Sequence, residues 1–122
     1  MEVLAGRVLL HPVDMARSLA FYRDVLGLAV AREFPGGTVF FLGGGFLELS
    51  GRAEAPAGDA VALWLQVRDL AAAHRELVAY VVREPRREPW GLEEMWIADP
   101  DGTRIVLVQV PENHPMRRDP RS

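Results

Sequence analysis

The chain has 122 residues, 49% hydrophobic and 25% charged, the balance of an ordinary globular protein rather than of a disordered or membrane-spanning one. A formal charge of −3 argues against nucleic acid as a general partner, and no apolar run approaches the roughly 20 residues needed to cross a bilayer. Cysteine is absent, which excludes disulfides, thiolate catalysis and sulfur-ligated zinc; all basic residues are arginine, which fits a compositional bias better than anion recognition.

At this length one compact core is expected, a single domain over 1–122. The N-terminus shows no basic segment followed by an apolar one, so the cytoplasm is the expected location, with no membrane partner. Strand-like alternation runs from Gly6 to His11 and stops where Asp14 can cap a helix. That helix is predicted to reach Leu26, with Met15, Leu19, Tyr22 and Leu26 on one stripe and Gly27 as its stop. Strands follow at Ala29 to Phe34, Thr38 to Leu42 and Phe46 to Ser50, separated by Pro35-Gly36-Gly37 and Gly43-Gly44-Gly45, both suited to tight reversals.

Gly51 to Asp59, rich in Ala, Gly and Pro, reads as a linker, after which the pattern repeats. A strand is predicted from Ala60 to Val67, then a cap at Asp69 and a helix to about Ala79 with Leu70, Ala73 and Leu77 on one stripe. A short strand near Tyr80 to Arg83 leads into a loop of Arg, Glu and Pro. Strands Glu93 to Ala98 and Arg104 to Gln109 flank the turn Asp99-Pro100-Asp101-Gly102. From Pro111 the chain reads as a surface-draped or mobile tail. Asp14-Met15 matches Asp69-Leu70 at an offset of 55, and the same offset aligns Val8 with Leu63 and Leu10 with Leu65. The expected fold is therefore α+β, two βαβββ modules (6–50 and 60–110) forming curved mixed sheets around a cavity.

Strand residues alternate between faces, so parity sorts them. One set is apolar throughout: Val8 and Leu10, Leu47 and Leu49, Leu63 and Leu65, Met95 and Ile97, Ile105 and Leu107. It belongs under the helices. The other set mixes charge with rings, and a pocket wants apolar walls with a few polar anchors. Its candidate ligand-binding residues are Arg7, His11, Phe46, Glu48, Trp64, Gln66, Glu94, Trp96 and Arg104, with Trp90 from the preceding loop. The alternative for Trp64 and Trp96 is space-filling or a dimer interface. Arg7 beside Glu48 is expected to form an ion pair that keeps the carboxylate ionised. The alternating Arg83, Glu84, Arg86, Arg87 and Glu88 read as a solvated surface able to rim the pocket. His74 and His114 read as surface residues.

The run Asp14-Met15-Ala16-Arg17-Ser18-Leu19-Ala20-Phe21-Tyr22-Arg23-Asp24-Val25-Leu26-Gly27 resembles the first helix of the vicinal oxygen chelate superfamily, which includes glyoxalase I, extradiol dioxygenases and bleomycin-resistance proteins. Val67-Arg68-Asp69-Leu70, Trp90-Gly91 and Asp99-Pro100-Asp101-Gly102 resemble its later landmarks. These are cap, turn and packing signals, specific for the fold and weak for the activity. The resemblance implies metal ligands, typically His or Gln and Glu, at positions that fall here on Arg7, Glu48, Ala62 and Val106. Of these, Glu48 alone can bind a metal. The expectation is thus no metal, no cofactor and no assigned catalytic residue: a binding protein similar to the bleomycin-resistance type, holding an aromatic or polycyclic molecule, with antibiotic sequestration as one form. The alternatives are a lyase, isomerase or dioxygenase with a metal relocated to His11, Glu48 and Glu94, an enzyme using Glu48 or Glu94 as general base, or an interaction module. A homodimer is expected, because the sheets expose edges.

Overall fold

The computed structural model describes residues 1–118. Its contacts divide the chain into two compact units, Met1–Gly58 with Pro100–Gly102, and Asp59–Asp99 with the chain from Thr103 onward. No helix among the described residues is long and apolar enough to cross a membrane.

In the first unit, β1 (Arg7–Leu10) runs parallel to β4 (Gly45–Ser50), which pairs antiparallel with β3 (Gly37–Leu42), and β3 with β2 (Val30–Phe34), in the order β1-β4-β3-β2. Helix α1 (Met15–Ala20) starts where Asp14, in extended conformation, accepts the Arg17 N–H with its carboxylate, as the cap reading requires. The helix then widens into a π turn over Phe21–Val25, closed by the Leu26 N–H on the Phe21 carbonyl at 2.9 Å. The helical segment thus reaches the predicted end, but an i→i+5 turn holds an extra residue and moves the buried stripe. Ser18, Phe21 and Tyr22 are buried, whereas Met15, Leu19 and Leu26 are half-buried. Phe21 and Tyr22 meet edge to face, with centroids 5.2 Å apart.

The second unit repeats the plan with β5 (Ala62–Gln66), α2 (Leu70–Leu77), β6 (Val81–Arg87), β7 (Glu93–Ala98) and β8 (Arg104–Gln109), in the order β5-β8-β7-β6. Asp69 caps α2 through the Ala72 N–H, and the Leu70 N–H donates to the Gln109 side chain at 2.8 Å. The duplication holds at the level of register: Arg7 lies opposite Phe46 in one parallel pair and Ala62 opposite Arg104 in the other. Arg104 therefore occupies in the second sheet the place of Phe46 in the first, and Val106 that of Glu48.

Several predicted boundaries need correction. Residues 58–60 form a single 3₁₀ turn, so β5 begins at Ala62 rather than Ala60, and another such turn over Val78–Tyr80 ends α2 at Leu77. The larger revision is β6. The segment predicted as a short strand and then a loop is one seven-residue strand, broken in register between Val81 and Arg83 and again between Arg83 and Arg86. Pro85 is tolerated because β6 is an edge strand, where a missing N–H breaks no ladder, and the bulges absorb the misfit. In the predicted tail, Pro115–Arg118 form a 3₁₀ turn and His114 Nε2 donates to the Trp90 carbonyl at 3.0 Å; residues 119–122 of that tail lie outside the described residues. His114 is thus an anchor for the segment that follows β8.

The apolar parity set forms the core. Leu47, Leu49, Met95, Ile97 and Ile105 are fully buried, with Leu63 and Leu107 nearly so. Each such side chain stabilises the fold by roughly 1.5–3 kcal/mol. Val8 departs from the set at 41% exposure, and Leu10 and Leu65 are half-buried. Val108, of the opposite parity, is also buried, in a small cluster with Leu92 and Val110. One end of that second face is therefore packed rather than open.

Candidate functional site

On the open face of the first sheet, Arg7 and Glu48 project from adjacent strands and meet as predicted, Arg7 Nη1 donating to Glu48 Oε1 at 2.8 Å. The second carboxylate oxygen is taken as well, by the Ser50 hydroxyl at 2.6 Å. Ser50 follows Glu48 by two residues and so shares its face, a signal available from parity alone. The Ser50 hydrogen bond, and after it that of Arg7, holds the Glu48 carboxyl below the ordinary glutamate range. His11 Nδ1 lies 2.6 Å from the Ser50 carbonyl oxygen; a carbonyl only accepts, so the Nδ1 nitrogen carries the proton. Phe46 packs against Phe41 at a centroid distance of 5.6 Å. Arg7, His11, Phe46 and Glu48 thus form one polar and aromatic patch.

On the second sheet the register places Trp64, Val106, Trp96 and Arg83 in one row across β5, β8, β7 and β6. Trp64 is 48% exposed. Trp96 is half-buried beneath two guanidinium groups, Arg83 Cζ at 4.1 Å and Arg104 Cζ at 4.5 Å from the ring centroid. The next row holds Gln66, which is exposed, the buried Val108, and Glu94. Glu94 is 6% exposed and accepts the Trp90 indole N–H at 2.7 Å, so this carboxylate orders a neighbouring indole and is not open to solvent as expected. Beside it, Arg83 Nη2 makes a close ion pair with Glu88 Oε1, and Arg86 Nε reaches the same oxygen at 3.1 Å. The Arg86 hydrogen bond, with that of Arg83, holds the Glu88 carboxyl below its ordinary range against the opposing effect of burial.

Within the Arg and Glu run, Glu84, Arg86 and Arg87 are exposed as expected, whereas Arg83 and Glu88 correct the solvated-surface reading. Glu88 is 3% exposed, and Arg83 belongs to the second face as much as Trp96 does. No periodicity reveals this, because the bulges in β6 shift its side chains off simple alternation. His74, by contrast, keeps its surface role, paired with Glu84 at 2.7 Å.

The metal positions implied by the resemblance do not fit a metal. In the first unit they are Arg7, which offers no lone pair, and Glu48, both of whose oxygens already accept protein donors. In the second they are Ala62 and Val106, without a donor atom. The displaced set fares no better: Glu94 is buried and committed to Trp90, and among the described residues no three His, Asp or Glu side chains gather as a metal-binding group. Among the described residues, clefts occur on other surfaces too. One, of about 510 Å³, lies between α1 and the β2–β3 hairpin in the first unit, and one of about 290 Å³ lies between α2 and β6 in the second. Neither is lined by a predicted site residue.

The family model of the glyoxalase/bleomycin resistance protein/dioxygenase superfamily matches residues 5–107. No curated protein matches the sequence significantly. Among solved structures, a glyoxalase/bleomycin resistance protein/dioxygenase from Nocardioides is 21% identical with a TM-score of 0.75, over 93% of this chain and 87% of that one. A protein of unknown function from Agrobacterium tumefaciens is 22% identical, also at TM-score 0.75, over 91% and 95%. A lactoylglutathione lyase from the same organism is 23% identical at TM-score 0.67, over 89% and 94%. At such identities the structural likeness speaks for the fold alone, whereas the family model spans nearly the whole of both modules. The capped helices, the repeated strand register and this match agree: the chain belongs to the glyoxalase/bleomycin resistance protein/dioxygenase superfamily.

Proposed function

We propose that the protein binds a small aromatic or polycyclic molecule noncovalently, in the manner of the bleomycin-resistance branch of its superfamily and without a metal. The observation that carries this reading is Trp64. Its neighbour Leu63 is buried on the covered face, yet Trp64 keeps 48% of its surface exposed, in a row with Val106 and with Trp96, whose ring carries the Arg83 and Arg104 guanidinium groups. An exposed indole beside fixed polar groups is a stacking wall with orienting anchors. A homodimer accords with this reading, since β1, β2, β5 and β6 are all sheet edges.

The carboxylates favour binding over acid–base catalysis. A general base works best with a pKa near the operating pH, whereas Glu48 is pulled the other way and has both oxygens occupied. Glu94 is buried and committed to Trp90.

Titration of the purified protein with 2-naphthamide and with 2-naphthoate tests the proposal. At least one of them should quench tryptophan fluorescence saturably and raise the Tm, with no change on adding a chelator, and Trp64→Ala should weaken that binding at least tenfold. Absence of saturable quenching by both compounds overturns the proposal. So does stoichiometric metal that survives purification and is lost in Glu48→Ala.

A further inference from the structure

The second sheet's open face is asymmetric in charge, and the asymmetry identifies a class of ligand. Arg83 and Arg86 share Glu88, and Glu94 is bound to Trp90. Arg104 is half-buried, its Nε is inaccessible and without a hydrogen-bond partner, and no ion pair neutralises it among the described residues. Its one strong contact is the face of Trp96. A guanidinium withdrawn from water without an anion is electrostatically unfinished, because the ring quadrupole compensates only part of the lost hydration.

The surroundings leave space for an anion. Arg104 is flanked by Ala62 on β5 and Ala98 on β7, the two smallest side chains of that face. Glu94, the carboxylate on that face, stands four residues from Ala98 along β7, roughly 13 Å at the usual strand rise, and Asp99, next to Ala98, is buried and accepts the Thr103 N–H at 2.9 Å. One row away from Arg104, Val106 sits low between Trp64 and Trp96. Successive rows on one face are about 7 Å apart. That is the scale on which a fused aromatic ring and its carboxylate are separated.

We infer that this face recognises a planar aromatic anion, its ring against Trp64 above Val106 and its acidic group beside Arg104 between Ala62 and Ala98. The inference rests on the binding function proposed above and adds the charge of the ligand to it. Bidentate hydrogen bonding of a carboxylate by guanidinium requires no covalent step.

The comparison of 2-naphthoate with 2-naphthamide isolates the charge, since the two share ring and shape. The carboxylate should bind at least tenfold more tightly, its affinity should fall with added salt while that of the amide stays level, and Arg104→Gln should bring the two affinities together. Arg104→Lys, which keeps the charge and loses the fork, should retain part of the preference. Equal affinities in the unaltered protein, or a preference that persists in folded Arg104→Gln, overturn the inference while leaving aromatic binding intact; if neither compound binds, the parent proposal falls with it. Where Arg104→Gln does not fold, the salt dependence of the unaltered protein and the Arg104→Lys ratio decide.

Discussion

The open faces of the two sheets occupy equivalent frames and carry different chemistry. In the first, the position beside the start of β1 is Phe46 and the next on that face is Glu48, whose carboxylate is closed by Arg7 and Ser50. In the second the same two places hold Arg104 and Val106, and the charge rests on a ring rather than on a carboxylate. The repeated covered faces explain how this is possible. Core packing fixes the register of each sheet, and once register is set the opposite face can vary residue by residue without disturbing the frame. The repeat keeps alike the side that holds the fold and lets the opposite side differ.

The sharpest way to break that comparison is to truncate equivalent core residues. Leu47 and Ile105 face Val8 and Leu63 in the two parallel pairs and are both fully buried. Leu47→Ala and Ile105→Ala should each cost about 2–5 kcal/mol in urea unfolding. A loss below about 1 kcal/mol at one site and not the other would show that the covered faces are not equivalent supports.

A smaller contrast comes from two glycines of matching backbone conformation. Gly36 (φ 91°) and Gly91 (φ 90°) both occupy the left-handed region that disfavours a side chain. A Cβ on Gly36 meets nothing within 4 Å, whereas one on Gly91 comes within 3.1 Å of His114 Cδ2. Gly36→Ala should therefore cost only the conformational strain, roughly 1–2 kcal/mol. Gly91→Ala should add about 0.5–1.5 kcal/mol by displacing the His114 hydrogen bond to Trp90. Thermal unfolding of both variants checks the difference, and equal losses would mean that His114 moves aside freely.

The caps at Asp14 and Asp69, the Pro35-Gly36 reversal and the two-residue alternation were legible in the chain because each is a local effect, decided within four or five residues. Arg7–Glu48 was legible too, because both fall in the same parity set at adjacent positions of one half-sheet. What escaped is non-local. The segment from Arg83 to Glu88 has the composition of a loop, and it becomes a strand because its place at the edge of β7 forgives Pro85. The bulges then turn Arg83 onto Trp96 and bury Glu88, neither of which follows from spacing. Similarly, Glu94 reads as a pocket carboxylate by parity, and only the approach of Trp90 shows that it is already occupied.

Glu48 and Glu88 give the finest test of the comparison, because both carboxyls are held low for different reasons. In the first unit the Ser50 hydroxyl contributes most and Arg7 second; in the second Arg86 leads and Arg83 adds to it against burial. A carboxyl with a depressed folded pKa binds protons less readily than its unfolded counterpart, whose ordinary value is 4.5. The unfolded state therefore holds more protons as pH falls through that value, so the stabilisation is present above it and drains away toward the folded pKa. Carbon-detected NMR titration should find both midpoints below 4.5. Ser50→Ala should raise that of Glu48 further than Arg7→Ala does, and Arg86→Ala should raise that of Glu88 without touching Glu48. If Arg7→Ala moves Glu48 the most, the first face is governed by charge as the second is, and the contrast between a hydroxyl-anchored carboxylate and a guanidinium-anchored one disappears.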